Sequence, residues 1–440
     1  MKSRNIRLAL LIMIIVCMVS ISSIGLSAPA TNKEVVVKLI TSTGSVAKAL
    51  PDYIKQFNEL HKGKIRVVAE AESLNSLLQK LMTQFITKTP TYDIIPVDTK
   101  WSRRLERFLY PLNSYLKKDK LNANELFGEK AIVSRSNKRG AITSLPLSSA
   151  AHILFYRTDL FKEAGLSVPK TLPEFLNAAR KLTKRSPSGE VEVYGLGGLR
   201  AMGIGDAAPS LAYFLQARGA RVLNAKKTDA SLELKKNVTI EVLEFLDTVV
   251  KEGLCPNPLS WDQYADRPAF AQGKLAMSIV YSPIASMVED PKQSKVAGKV
   301  GYSLIKLDKA GSSAPVAYSG GWGLGIDKNS PNKAAAWEFI KFVAANAETQ
   351  KAMAVRGLND PSLMSVLDDP DYAATVKSVG PIKEIFTTFG FDLPSDVEQG
   401  TEIELIIHEE MQLMWSGKKA PKQVADALYN RIHQLMTGKK

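Results

Sequence analysis

An α/β architecture, with mostly parallel sheets flanked by helices, is the fold class the sequence predicts, and three observations lead to it. Short β-branched runs alternate with amphipathic helical stretches, the alternation restarts near the middle of the chain, and the length leaves room for two or three domain-sized units. At 440 residues and 45% hydrophobic, the chain can bury substantial cores.

The first strand is expected over residues 35–40, a β-branched and aliphatic run that ends in the small polar residues Thr41, Ser42, Thr43 and Gly44. Tyr53, Ile54, Phe57 and Leu60 recur at three- and four-residue spacing, which predicts a helix. Residues 64–69 give a second strand, 73–86 a second helix and 92–97 a third strand. This order places strands side by side in parallel, and ligands of such sheets sit beyond the carboxyl ends of the strands. The pattern restarts with Ile153, Leu154, Phe155 and Tyr156. Thr171 with Glu174 three residues on predicts a capping box and a helix to Leu182. Residues 186–205 are glycine-rich and predict loop and short strand, and a helix over 238–251 stops at Gly253. A strand is expected over 321–326, one helix over 332–355 behind Pro331, and two more helices over 403–414 and 424–436.

The N-terminal stretch is set apart from the fold. Lys2, Arg4 and Arg7 precede an apolar run over residues 8–19, and small residues follow as far as Ala28 and Ala30. That pattern predicts an export signal over 1–30, since the apolar run is shorter than the ~20 residues of a membrane-spanning helix. The mature protein is expected to be soluble and periplasmic. Cys17 lies inside the apolar run after Val16, so lipid anchoring is not expected. Cys255 then stands alone, and no intrachain disulfide can form.

The net charge of +14 falls to +11 once Lys2, Arg4 and Arg7 are removed. Lysines such as Lys333, Lys341 and Lys351 are scattered along predicted helices, with no arginine-rich block. A solvated basic surface follows rather than a nucleic-acid footprint.

Reactive constellations are sparse. His408, Glu409 and Glu410 are followed by Gln412 where a zinc-protease helix needs its second histidine. Ala317 to Gly321 approximates a nucleophile elbow but has alanine at its first glycine position. His61, His152, His408 and His433 have no metal-ligand spacing, and no glycine run completes a nucleotide fingerprint. No catalytic residue, metal site or cofactor is expected, although a glycosidase built from distant carboxylates stays open. What remains is aromatic and small polar residues at strand ends. Asp98 and Trp101 follow the third strand, Tyr156 closes another, Tyr281 follows residues 277–280, and Trp322 sits among Gly320, Gly321 and Gly323. Sugar rings offer C–H faces to aromatics and a rim of hydroxyls to polar groups, and this set suits both.

Residues 92–101, 109–113, 154–156, 158–166, 269–277 and 320–339 together resemble the family 1 extracellular solute-binding proteins, the sugar-binding group that includes maltose-binding protein. The resemblance covers nearly the whole mature length. It implies the two-lobed type II periplasmic binding fold, with ligand held in the interlobe cleft and lobe closure read by an ABC permease. By that analogy the first lobe takes residues 33–143 and 321–361, and the second 144–320 and 362–440. The implied ligand-binding residues are Thr41, Ser42, Thr43, Asp98, Trp101, Tyr156, Trp261, Tyr281, Gly321 and Trp322. The implied function is that of a monomeric receptor delivering a sugar or oligosaccharide to the permease. A non-sugar anionic or peptide cargo on the same fold is the alternative, with a secreted carbohydrate-active enzyme behind it. Arg157, the segment Tyr281-Ser282-Pro283 and the segment Asn359-Asp360-Pro361 depart from the family pattern.

Overall fold

Residues 33–43, 45–203, 206–305, 307, 319–355, 360–385 and 397–438 are described by the structure, a computed structural model. The expected export signal, Cys17, Gly44, Ala317, Tyr318 and Asn359 lie outside the described residues. Nine strands are assigned among the described residues: β1 (Val35–Ser42), β2 (Ile65–Glu72), β3 (Ile94–Asp98), β4 (Ser144–Arg157), β5 (Lys184–Arg185), β6 (Val191–Val193), β7 (Met277–Tyr281), β8 (Val300–Ser303) and β9 (Ser319–Ile326). Helices of eight or more residues are α1 (Ser45–Leu60), α2 (Leu74–Thr87), α3 (Leu172–Leu182), α4 (Ala207–Ala217), α5 (Asn237–Lys251), α6 (Gln263–Ala271), α7 (Lys333–Ala344), α8 (Ala347–Val355), α9 (Gly400–Trp415) and α10 (Pro421–Thr437).

The main sheet runs β2-β1-β3-β9-β4-β7, and β8 also pairs with β4. Strands β1, β2 and β3 are mutually parallel, as the opening alternation predicts. The antiparallel pairs of this sheet all involve β4 or β9. Strand β4 is 14 residues long, or about 45 Å at ~3.3 Å per residue. Its residues Ser144 to Ala151 pair with β9, and its residues His152 to Arg157 pair with β7 and β8.

Two lobes, each with its own hydrophobic interior, are joined by that strand. On the first side Val37, Leu39, Phe57, Leu145, Leu147, Leu324 and Trp337 pack together, beside a second layer of Ile40, Leu77, Leu81, Ile95 and Val97. On the other side Leu154, Phe175, Phe214, Leu246, Met277 and Met411 form one core, and Ile153, Phe155, Phe270 and Val280 another. The chain therefore crosses inside β4 and not ahead of it, because Leu145 and Leu147 are buried with the first lobe. Similarly, Leu363, Val366 and Tyr372 pack in the first core while Leu367, Ile382 and Ile385 pack with Phe155. The boundaries expected at 143 and 362 shift accordingly.

Local signals act as expected in most places. Thr171 Oγ1 accepts from the Glu174 amide at 3.2 Å, and the Glu174 carboxylate accepts from the Lys170 amide at 2.7 Å. The single helix expected over 332–355 is instead two, α7 and α8. Asn346 explains the break, since its side chain accepts from the Thr349 amide at 3.0 Å and starts a new helix.

Gly321 marks where β9 passes closest to β4. Its φ is +151°, and a Cβ there would lie 2.2 Å from the Ser148 carbonyl oxygen. Substitution Gly321→Ala should destabilise the protein by about 1–3 kcal/mol, read from urea unfolding, because a rigid backbone must give way. Unchanged stability would show that the two strands are not held this tightly.

Candidate binding site at the crossing strands

The first lobe contributes the end of β3 and the start of β9. Asp98 and Trp322 face each other in the β3/β9 register, and Trp322 also pairs with Ser148 of β4. Trp101 follows in a short 3-10 turn capped by Asp98, whose Oδ1 accepts from the Lys100 amide at 2.9 Å. The indoles of Trp101 and Trp322 meet edge to face with centroids 5.7 Å apart, a favourable quadrupole arrangement that fixes both rings. Behind them buried Arg135 donates to the carbonyl oxygens of Val97 at 2.6 Å and Gly321 at 2.9 Å and to Thr99 Oγ1 at 2.9 Å. This guanidinium ties the ends of β3 and β9 together. Burial pushes the Asp98 carboxyl above the usual carboxylate range, against the pull of Lys100 and Arg135. Thr41 and Ser42 are buried at the end of β1 and Thr43 is exposed. The parallel β1/β3 register matches Leu39 with Ile94, which carries Thr43 to the level of Asp98.

The second lobe contributes a buried polar network that sequence reasoning missed. Arg200 Nη1 donates to Asp266 Oδ2 at 2.8 Å, and both side chains are shut off from solvent. Asp266 Oδ1 also accepts from the Trp261 indole at 2.8 Å and from the Gly198 amide at 3.1 Å. Arg200 Nη2 donates to His152 Nε2 at 3.2 Å, and the His152 ring lies 3.9 Å from that of Tyr281, its neighbour across the β4/β7 register. Trp261 and Tyr281 are thus oriented by one ion pair. Burial pushes the Tyr281 phenol up, and the phenol feels Lys100 and Asp98 of the first lobe and Glu404 of α9. Arg200 and Asp266 are 66 residues apart, so only their burial and mutual distance reveal them.

Two contacts join the lobes at this level. Lys100 Nζ lies 3.1 Å from Glu404 Oε1 with both side chains largely buried, and Arg107 reaches Glu398 at 3.5 Å on the surface. The half-buried pair is the one that matters, since an exposed pair contributes little. Replacing Lys100 or Glu404 by alanine should remove about 1 kcal/mol from this arrangement of the lobes, a roughly fivefold shift toward arrangements in which they stand further apart. Small-angle scattering should show a larger radius of gyration, and the charge swap Lys100→Glu with Glu404→Lys should restore it. An unchanged radius in all variants would deny the pair this role.

Asp360 occupies the crossing itself. Its backbone pairs with Ser149 of β4 at 3.0 and 3.2 Å, and its carboxylate accepts from Ser282 Oγ, just beyond β7. Burial raises its pKa from 3.8 to about 7, opposed by the Ser282 hydrogen bond. A raised carboxyl pKa favours folding while the group is protonated. Stability should therefore be highest below about pH 4 as far as this group is concerned and fall by up to about 1.4 kcal/mol per pH unit until pH 7. Denaturation across that window should lose this slope in Asp360→Asn, and a slope retained in the variant would sink the assignment.

Tyr156 does not join the site. It lies eight residues beyond Ser148 on β4, or about 26 Å of strand, and its ring packs on Phe161 at 5.0 Å. The alternation of β4 turns it into the second core beside Gly301. Gly321 acts through its backbone, and the Trp261 N–H is already committed to Asp266. The departure at Arg157 forms an ion pair with Asp159, at 2.7 and 2.5 Å. His408 is buried on α9, and Glu409 and Glu410 pair with Arg431, so that trio is a packed helix face. An open groove of about 500 Å³ beside it, lined by Leu259, Gln412 and Lys418, is separate from the paired indoles. Among the described residues no cluster of His, Cys, Asp and Glu is placed to hold a metal ion, and no helix is long and apolar enough to cross a membrane.

A two-lobed α/β protein with its polar and aromatic residues converging on the crossing strands is a ligand-binding architecture. Residues 41–350 match the model of the bacterial extracellular solute-binding proteins, and the chain belongs to that family. It is a solute-binding protein of the ABC-transporter class, and its family and structural neighbours are transport proteins. A probable ABC transporter-binding protein of Deinococcus radiodurans is 22% identical over 326 residues, 73% of this chain and 74% of that protein. The ribitol complex of a solute-binding protein from Agrobacterium radiobacter K84 superposes with a TM-score of 0.76 at 23% identity, covering 92% of this chain and 99% of that one. Maltose-bound MalE3 of T. maritima gives 0.76 at 20% identity, with 91% and 100% covered.

Proposed function

We propose that this protein is the exported, periplasmic receptor of an ABC importer, taking a sugar or polyol between its lobes and presenting it, closed, to the membrane permease. The observation that carries the reading is the edge-to-face pair Trp101/Trp322 beside Asp98, with Tyr281 of the other lobe in the same electrostatic neighbourhood. Fixed indoles give a C–H face something to lie on, and a carboxylate with a raised pKa accepts hydroxyl protons at little further desolvation cost. Nothing in this arrangement needs to react with the guest. The ribitol and maltose complexes of the structural neighbours support a neutral polyhydroxy ligand. A site built from residues of one chain supports action as a monomer.

Calorimetry of the mature protein against ribitol, D-mannitol, maltose and longer oligosaccharides should find a ligand, recovered chemically unchanged. At a hundredfold excess over its dissociation constant that ligand should add about 2.7 kcal/mol of stability. Trp101→Ala and Trp322→Ala should each weaken binding about tenfold, the loss of ~1.4 kcal/mol of stacking and burial. A response to amino acids or peptides in place of every sugar and polyol would overturn the cargo, and release of a hydrolysed product would overturn the receptor.

A further inference from the structure

Residues Ser144 to Phe155 of β4 are all buried except Ala150, which is half-exposed. Ala150 pairs with Gly320 of β9. Two positions before it Ser148 pairs with Trp322, and two positions after it His152 pairs with Tyr281 of β7. Side chains of directly paired residues share a face, and the same face returns at every second residue. Trp322, Gly320, Ala150, His152 and Tyr281 therefore stand on one face, joined by Asp98 through its own pairing with Trp322. The opposite face is closed, since Ser149 Oγ meets Ser362 Oγ at 2.8 Å and Ala151, Ile153 and Phe155 enter a core. Solvent reaches Ala150 from the side of the aromatic residues.

That opening lies between the lobes. Leu147 belongs to the first interior and Leu154 to the second, so Ala150 sits where the strand passes from one to the other. The lobes meet again at Lys100 and Glu404, and the helix that carries Glu404, α9, packs Ile403 and Ile407 into the same core as Leu154. Leu154 shares the face of Ala150, so this bridge stands on the open side of β4. Trp322 and Tyr281, both half-buried, pair with β4 positions four residues apart, or about 13 Å of strand. Between these two rings the face carries only a methyl group and a bare Cα.

The backbone does not require glycine at 320. Its φ lies outside the left-handed range, and among the described residues no atom comes within 4 Å of a Cβ placed there. Gly321 beside it is the reverse, with its Cβ position 2.2 Å from the Ser148 carbonyl oxygen. A glycine weakens a strand, and one that neither conformation nor packing demands leaves room for a close approach from outside.

We infer that Gly320 and Ala150 form the floor of the solute site and limit the bulk it admits, the C–H groups of a sugar or polyol lying on them between Trp322 and Tyr281. The inference rests on the sugar-receptor reading and adds the surface on which the solute sits and the two residues that set its depth. A side chain grown from either position fills the volume the guest needs, so affinity should fall with side-chain size while folding is unaffected. Calorimetry and thermal unfolding of the parent, Gly320→Ala, Gly320→Val and Ala150→Val test this, with ribitol, D-mannitol, maltose and maltotriose as probes. For the probe that binds the parent, each valine variant should lose about tenfold or more in affinity and Gly320→Ala should lose less. The unfolding transition of Gly320→Ala should match that of the parent, in contrast to Gly321→Ala. Valine variants that bind within twofold of the parent overturn the floor and leave the receptor standing. Where a valine variant does not fold, Gly320→Ala decides, and unchanged affinity overturns the floor. A Gly320→Ala protein destabilised as much as Gly321→Ala shows that the protein itself fills this space, and overturns the floor as well. Silence of the parent toward all four probes overturns the receptor reading, and this inference with it.

Discussion

Strand β4 belongs to two sheets at once, and the rest of the molecule is arranged around that constraint. A backbone about 45 Å long cannot bury both halves against one core, so its first half is clad by Leu324 and Trp337 and its second by Phe175, Phe270 and Val280. Where it passes from one interior to the other, its neighbours must come close without side chains. Gly321 meets that need on one flank, and Asp360 and Ser282 bind the other through hydrogen bonds. The crossing between the two interiors is thereby concentrated on a few residues.

The buried ion pair Arg200–Asp266 is best understood as an orienting device. Such pairs contribute little net stability, because desolvation offsets attraction. Here the pair is also the junction of three further hydrogen bonds, with Gly198, His152 and Trp261, and through His152, whose ring meets Tyr281, and Trp261 it fixes aromatic groups of the second lobe. Arg135 does the equivalent work in the first lobe, fixing the loop that carries Asp98 and Trp101. The rings are thereby held in place by buried hydrogen bonds and ring contacts.

Much of the fold was legible in the linear pattern. The β1-α1-β2-α2-β3 order, the Thr171 cap and the C-terminal helices follow from residue spacing, because hydrophobic period and capping chemistry are local. The break at Asn346 escaped it, since an asparagine inside an apolar stripe reads as helix until its side chain is seen to cap. Of the expected site, Asp98, Trp101 and Trp322 do converge, Asp98 and Trp101 at the end of β3 and Trp322 inside β9 opposite Asp98. Tyr156 lies apart from them for a reason of register: being at the end of a strand says nothing about which lobe receives the side chain when the strand spans two lobes.

The sequence by itself determined the element order, the aromatic residues at the ends of β3 and inside β9, and the lack of a reactive motif, since each depends on neighbours within about ten positions. Only the tertiary structure decided that Lys100 meets Glu404, that Arg200 meets Asp266 and that Asp360 meets Ser282. Those pairings join residues from 66 to some 300 positions apart, and no local rule reaches across such a span. Charge placement in a cleft is a property of the folded surface, and the pattern along the chain carries only the list of charges available to it.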